Sequence, residues 1–181
     1  MIRIQSRIKK KVFQKNDSKV DYRKKKLTPY AVSLAEKQKL KFAYDLSERK
    51  FSALFKKSRS FSYTNMNLIF LQSLFFRLDS LLVSVGIAKT FRHARQLISH
   101  RKILVNNLIC NKSSYTCLVG DIVSLKNNVI EENFNVKENQ YLELDLNDNF
   151  SFKIIKYPVC EEDINWLKIN MQLIVEFYNK Y

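Results

Sequence analysis

The sequence predicts an α+β protein made of a basic N-terminal arm, a helical domain, and an inserted small module of two helices packed on a short-stranded sheet. Three observations lead to this class. Apolar residues recur at helical spacing from Pro29 to Ile98, and beyond residue 102 they fall into short runs broken by turn residues. Basic residues crowd the first third of the chain. At 181 residues and 46% apolar composition, the chain has enough material to bury a core.

Residues 1–26 form the arm, where Lys9-Lys10-Lys11 and Arg23-Lys24-Lys25-Lys26 lie without apolar periodicity. Residues 27–76 form the helical domain. Thr28 is placed to cap a helix that begins at Pro29, because its hydroxyl accepts a first-turn N–H and proline fits the first helical position. Tyr30, Leu34, Leu40 and Tyr44 supply the apolar positions of this helix. A second helix is expected from about Leu46 to Lys57, with Leu46, Phe51, Leu54 and Phe55 inward, and a third from about Asn65 to Phe76.

Residues 77–125 form the module. Leu78, Leu81, Leu82 and Val85 make an i, i+3, i+4, i+7 stripe that stops at Gly86. Thr90 caps a second helix whose inner face is Phe91, Ala94, Leu97 and Ile98, so that Arg92, Arg95, Gln96 and Ser99 take the opposite face. Ile103-Leu104-Val105 and Leu108-Ile109-Cys110 read as strands around an Asn106-Asn107 turn, since asparagine tolerates positive φ. A further strand, Ile122–Leu125, follows the turn signal Gly120-Asp121. Residues 126–181 are expected to pack back on the helical domain.

Charge narrows the partner. The chain carries a formal net charge of +15, which self-repels unless a polyanion lies beside it. Residues 1–60 contribute +14, residues 61–125 +5, and residues 126–181 −4, so the positive field belongs to the arm, the helical domain and the module. The longest apolar stretch, Met66 to Phe76, is interrupted by Asn67, Gln72 and Ser73 and is shorter than the roughly 20 residues a membrane span needs. No secretory signal is expected, because lysines follow Met1-Ile2-Arg3 before any apolar segment. With only Gly86 and Gly120 in the chain, no glycine-rich phosphate cradle can be written. Cys110, Cys117 and Cys160 match neither a disulfide framework nor a paired zinc motif, and are read as thiols in a reducing compartment.

Arg77-Leu78-Asp79, then Ala94-Arg95-Gln96-Leu97-Ile98-Ser99-His100, Ile103, Val105-Asn106 and Gly120-Asp121 together resemble the RNA-binding module named after ribosomal protein S-four. The flanking chain is similar to the small-subunit ribosomal protein S-four family itself, of bacterial or organellar type. On the N-terminal side this rests on Leu27-Thr28, Tyr30, Leu34, Glu36-Lys37-Gln38-Lys39, Tyr44, Glu48 and Phe51. On the C-terminal side it rests on Tyr141-Leu142-Glu143, Pro158, Asp163-Ile164 and Leu173 through Tyr178. The resemblance implies direct binding of small-subunit rRNA and a part in early subunit assembly. The module positions it implicates are Arg77, Arg95, Gln96, His100 and Asn106, and those in the helical domain are Lys37, Gln38 and Lys39.

The sequence departs from the family pattern at three places. Phe91 stands where the family carries an arginine, with Arg92 one position later; Asn107 stands for the turn glycine; and Val119 stands for a proline. No cysteines precede residue 26, so the zinc site of some members is not expected. Arg92, Arg101 and Lys102, together with the arm residues Lys24, Lys25 and Lys26, complete the candidate RNA-binding set.

His93 and His100 lie seven apart on one helix but lack a third ligand nearby, which argues against a metal. Glu161-Glu162-Asp163 read as complements to a helix N-terminus rather than as acid catalysts. A pseudouridine synthase would need a catalytic domain, and the 56 residues after Leu125 are too few to build one. The expected protein is therefore not an enzyme and takes no cofactor. Its expected partners are small-subunit rRNA and neighbouring small-subunit proteins, with no membrane, no small-molecule substrate and no homo-oligomer. The alternative is a stand-alone RNA-binding or ribosome-associated factor with the same module. Glycine poverty, asparagine richness and a divergent N-terminus favour a mitochondrial ribosome in the matrix, with a plastid ribosome as the alternative.

Overall fold

A computed structural model describes residues 28–61, 66–126, 139–145, 150–159 and 167–180. Six helices are described: α1 (Pro29–Ala43), α2 (Glu48–Phe61), α3 (Met66–Phe75), α4 (Leu78–Val85), α5 (Phe91–Ser99) and α6 (Met171–Lys180). Five strands accompany them: β1 (Ile103–Val105), β2 (Leu108–Ile109), β3 (Ile122–Leu125), β4 (Leu142–Asp145) and β5 (Ser151–Ile154). The chain divides into two compact units, Met1–Asn67 with Asn165–Tyr181 and Leu68–Ile164. The α+β class is the one expected. The arm, residues 1–26, lies outside the described residues.

In the first unit, α1 begins as its sequence dictates. Thr28 is extended and its Oγ1 accepts the Ala31 N–H at 3.3 Å, with Pro29 in the first turn. Helix α6 packs on α1. Tyr178 stacks on Phe55 with ring centroids 4.3 Å apart, Phe177 lies 5.7 Å from the Tyr30 ring, and Glu36 accepts the Asn170 N–H. Phe51 and Phe55 of α2 are fully buried. Aromatic side chains of this size bring large apolar areas to a small helical unit.

In the second unit, α4 and α5 cover one face of an antiparallel sheet ordered β2-β1-β3-β5-β4. Gly86 ends α4 at φ +94°, a conformation that costs a side-chain-bearing residue energy and glycine none. Thr90 caps α5 by accepting the His93 N–H at 3.1 Å. Asn106 and Asn107, at φ +50° and +64°, form the tight turn that sets the β1–β2 register, with Val105 opposite Leu108. The core joins Leu78, Leu81, Leu82 and Val85 of α4 to Ala94, Leu97 and Ile98 of α5 and to the inner sheet residues Ile103, Val105, Val123, Leu125, Phe152 and Ile154.

Strands β4 and β5 correct one expectation. Residues 126–181 are expected as a whole to pack on the helical domain; α6 packs on α1, Pro158 accepts the Gln72 Nε2–H and Tyr157 meets Phe76 edge to face, but β4 and β5 belong to the module's sheet. Leu142 pairs with Ile154, Leu144 with Phe152, and Val123 with Phe152, so this stretch extends the module's sheet. The reason is its period of two: Phe152 and Ile154 are buried and Lys153 between them is exposed, as one face of a half-buried sheet requires.

Candidate nucleic-acid interface

Helix α5 positions the candidate site. Its apolar stripe turns Phe91, Ala94, Leu97 and Ile98 into the core, leaving Arg92, Gln96 and Ser99 exposed on the other side. His100 closes the helix as an exposed cap residue. The chain then turns through Arg101 in the left-handed region at φ +57°, with Arg101 N–H on the Ile98 carbonyl and Lys102 N–H on the Leu97 carbonyl. This pair of bonds satisfies carbonyls that a helix end leaves open, at a position glycine usually fills. The turn leaves Arg101 exposed and Lys102 half-buried.

Arg95 sits at the edge of the buried stripe. Its Nε donates to Asp79 Oδ2 at 2.9 Å, its side chain is 26% exposed, and its guanidinium lies 5.9 Å from the Phe91 ring centre. Asp79, 1% exposed, also receives Arg77 Nε at 3.0 Å on Oδ1 and Arg77 Nη2 at 2.9 Å on Oδ2. Arg77 was expected at the RNA surface and is an interior group instead. A carboxylate buried at the start of α4 needs compensating charge, and Arg77, two residues away, supplies it bidentately. Arg95 is thus an anchored residue on the border of the surface, not a fully exposed one.

Asn106 is exposed, yet both ends of its amide are engaged within the fold. Its Nδ2 donates to Asp121 Oδ1 at 2.8 Å and its Oδ1 accepts the Ile122 N–H at 3.0 Å, which ties the β1–β2 turn to the start of β3. Asp121 also accepts the Leu118 N–H at 2.8 Å. The resemblance implies an RNA contact here; the structure shows a clamp that holds the β1–β2 turn to the start of β3.

The helical-domain candidates behave differently again. Lys37 is buried: its Nζ lies 2.7 Å from Glu48 Oε1 and 4.3 Å from the Phe177 ring centre. It too is a correction, since a lysine spent on a carboxylate and an aromatic face is not an exposed RNA contact. Gln38 and Lys39 are half-buried, with Lys39 Nζ 3.8 Å from Glu36. Lys24, Lys25 and Lys26 lie outside the described residues. Lys41 completes the Glu48 site at 2.9 Å. Burial raises the Glu48 carboxyl, but the hydrogen bonds and charges of Lys37 and Lys41 outweigh it and hold the group below the usual glutamate range. Burial, reinforced by the Asp121 charge, pushes the Cys117 thiol well up.

Sequence reading passed over Arg49, Lys50, Lys56 and Lys57, all exposed on α2. The signal that finds them is their position opposite Phe51 and Phe55. Among the described residues no group of three or more His, Cys, Asp or Glu is placed to hold a metal ion. No described helix is long and apolar enough to cross a membrane.

Two family models match this chain, the Ribosomal protein S4/S9 N-terminal domain over residues 2–74 and the S4 domain over residues 76–123. The chain belongs to the ribosomal protein S4 family. It is 40% identical over 169 residues to "Small ribosomal subunit protein uS4" of Aquifex aeolicus, covering 87% of this chain and 79% of that one. A protein of the same name from Salinibacter ruber is 40% identical over 166 residues, covering 87% and 80%. "Small ribosomal subunit protein uS4c" of Phaeodactylum tricornutum is 35% identical over 162 residues, covering 86% and 79%. In this S4-family chain the S4 domain match spans α4, α5, β1 and β2, the elements that carry the cationic end of α5.

Proposed function

We propose that this chain is a structural constituent of the small ribosomal subunit that binds small-subunit rRNA directly and supports early subunit assembly. The observation that carries the reading is the likeness along 86–87% of the chain to proteins named for the small ribosomal subunit. That extent disfavours a stand-alone factor that borrows only the module. The exposed face of α5 and the turn after it supply the chemistry. Arg92, Gln96, His100, Arg101 and Lys102 lie on or just beyond one side of a short helix, where cations engage phosphates and Gln96 engages base or sugar edges. Arg95 borders this face and steadies it through Asp79. The exposed Lys89, Lys112 and Lys126 add to the module's positive field. In RNA recognition such charge sets affinity, while the fold sets register.

The role is non-catalytic and uses no cofactor. Its setting is a mitochondrial ribosome, a reading supported by the glycine-poor, asparagine-rich composition, with a plastid ribosome as the alternative. Neighbouring small-subunit proteins are its other partners. Sucrose-gradient fractionation of cells expressing the tagged full chain, followed by sequencing of the co-sedimenting RNA, tests the proposal. Small-subunit rRNA of one organelle in the peak fractions supports it. Tagged protein found only in RNA-free fractions overturns it.

A further inference from the structure

We infer that the end of the sheet where β3 begins and β5 stops is a docking surface for a neighbouring protein of the small subunit, one that presents an apolar patch edged with carboxylates. The inference rests on the reading of this chain as a small-subunit constituent and gives that reading's protein neighbours a place. Of the nine large apolar side chains exposed among the described residues, six gather here: Leu118, Val119, Ile122, Ile155, Tyr157 and Val159, the last 81% exposed. Single apolar residues scattered over a surface are ordinary, whereas a contiguous group marks an interaction site. Backbone pairing makes this group contiguous. Gly120 N–H donates to the Ile154 carbonyl at 2.9 Å and Ile122 pairs with Lys153, so the loop ahead of β3 runs beside the end of β5. Val123 and Ile154 belong to the core, which turns Ile122 and Ile155 to the opposite face.

The patch is fixed from beneath. Tyr157 meets the buried Phe76 edge to face with ring centroids 4.7 Å apart, and its Oη accepts the Val119 N–H at 3.3 Å. Val119 stands where the family carries a proline, a residue without the N–H that this bond uses. The tyrosine hydroxyl thus holds two exposed apolar segments side by side. Charge sets the kind of partner. Lys153 and Lys156 are exposed among these side chains, and among the described residues neither pairs with a carboxylate. An apolar surface whose rim carries Asp or Glu complements both features, covering the aliphatic groups and neutralising the lysines. A nucleic-acid strand does not, because phosphates laid over apolar side chains lose hydration that two lysines do little to replace. A second copy of this chain would bring two strongly positive molecules together.

The test places a photo-cross-linking amino acid at Val159, and separately at Leu118, in the full chain expressed in cells, irradiates the purified small subunits and identifies what each position captures. Both positions should capture the same small-subunit protein, at a segment that combines apolar residues with Asp or Glu. Cross-links to rRNA, to lipid or to a second copy, or none at all, from a chain that does enter small subunits, overturn the inference and leave the small-subunit reading standing. A chain absent from small subunits sinks that reading, and the inference with it. The second arm is the triple variant Leu118→Ser/Ile155→Ser/Val159→Ser, at three exposed positions outside the core. It should melt and bind an rRNA transcript as the unmodified chain does, while its subunits retain at least about tenfold less of the cross-linked protein after a salt wash, as truncation of central apolar side chains at an interface predicts. Full retention of that protein overturns the docking surface. Should the triple variant unfold, the two cross-linking positions decide by themselves.

Discussion

Arg95 of α5 donates its Nε–H to Asp79 of α4 at 2.9 Å, onto a carboxylate that is 1% exposed and already held by Arg77. The candidate surface is therefore mounted on an ionic cluster inside the fold. Removing the carboxylate strands two cations, one of them buried. Asp79→Ala should cost about 3–5 kcal/mol, the usual penalty for breaking a buried pair from one side. Arg95→Ala leaves the Arg77–Asp79 pair intact and loses one partly exposed charged hydrogen bond, so it should cost only about 1 kcal/mol. Thermal melts of the two variants check the order, and equal losses would mean that Arg95 is as central to the cluster as Asp79.

Arg101 separates backbone strain from RNA contact. Its left-handed conformation costs a residue with a Cβ about 1–2 kcal/mol, while glycine adds about 0.5–1 kcal/mol of unfolded-state entropy. Arg101→Gly should leave the melting temperature unchanged or slightly higher. Its affinity for rRNA should fall by roughly tenfold, the loss of one charge-assisted contact of about 1.5 kcal/mol. A variant that binds as tightly as the unmodified chain would remove Arg101 from the RNA surface.

The Asn106–Asp121 bond gives a third outcome. Both groups connect the β1–β2 turn to β3, so a double-mutant cycle with Asn106→Ala and Asp121→Ala should return a coupling of about 0.5–3 kcal/mol. Coupling near zero in denaturant melts would show that the clamp contributes no stability.

Glu48 sets an acid-side dependence. Its carboxyl is held below the usual range by Lys37 and Lys41, so it adds stability above the unfolded glutamate value of about 4.3 and loses it as pH falls through the folded value. The group is half exposed, so the contribution is at most about 1 kcal/mol. Denaturation of the unmodified chain and of Glu48→Gln should diverge above that pH and converge below it. Parallel curves throughout would contradict the assignment.

Much of this architecture was legible in the residues because its cues are local. Thr28 and Thr90 cap the helices they precede, Gly86 ends α4, and Asn106-Asn107 turns the hairpin; each needs only a residue type and its neighbours. The burial of Lys37 and Arg77 was not legible. Glu48 lies eleven residues from Lys37 on another helix, and Asp79 is shared with Arg95 from sixteen residues away, so only the folded chain shows which cations are already neutralised. Strands β4 and β5 are not legible because each alternates over only four residues, too short a run to set a period apart from the acidic background of residues 126–181. The exposure of Arg49, Lys50, Lys56 and Lys57 is readable, since Phe51 and Phe55 fix the inner side of α2.

The central claim is that this S4-family chain binds small-subunit rRNA mainly through exposed cations. Its most direct test is equilibrium binding of the full chain to a small-subunit rRNA transcript from about 50 to 200 mM salt. If six or more phosphates are neutralised, affinity should drop by about a thousandfold over that range, linearly in log salt. Affinity that stays flat across the range would contradict the account.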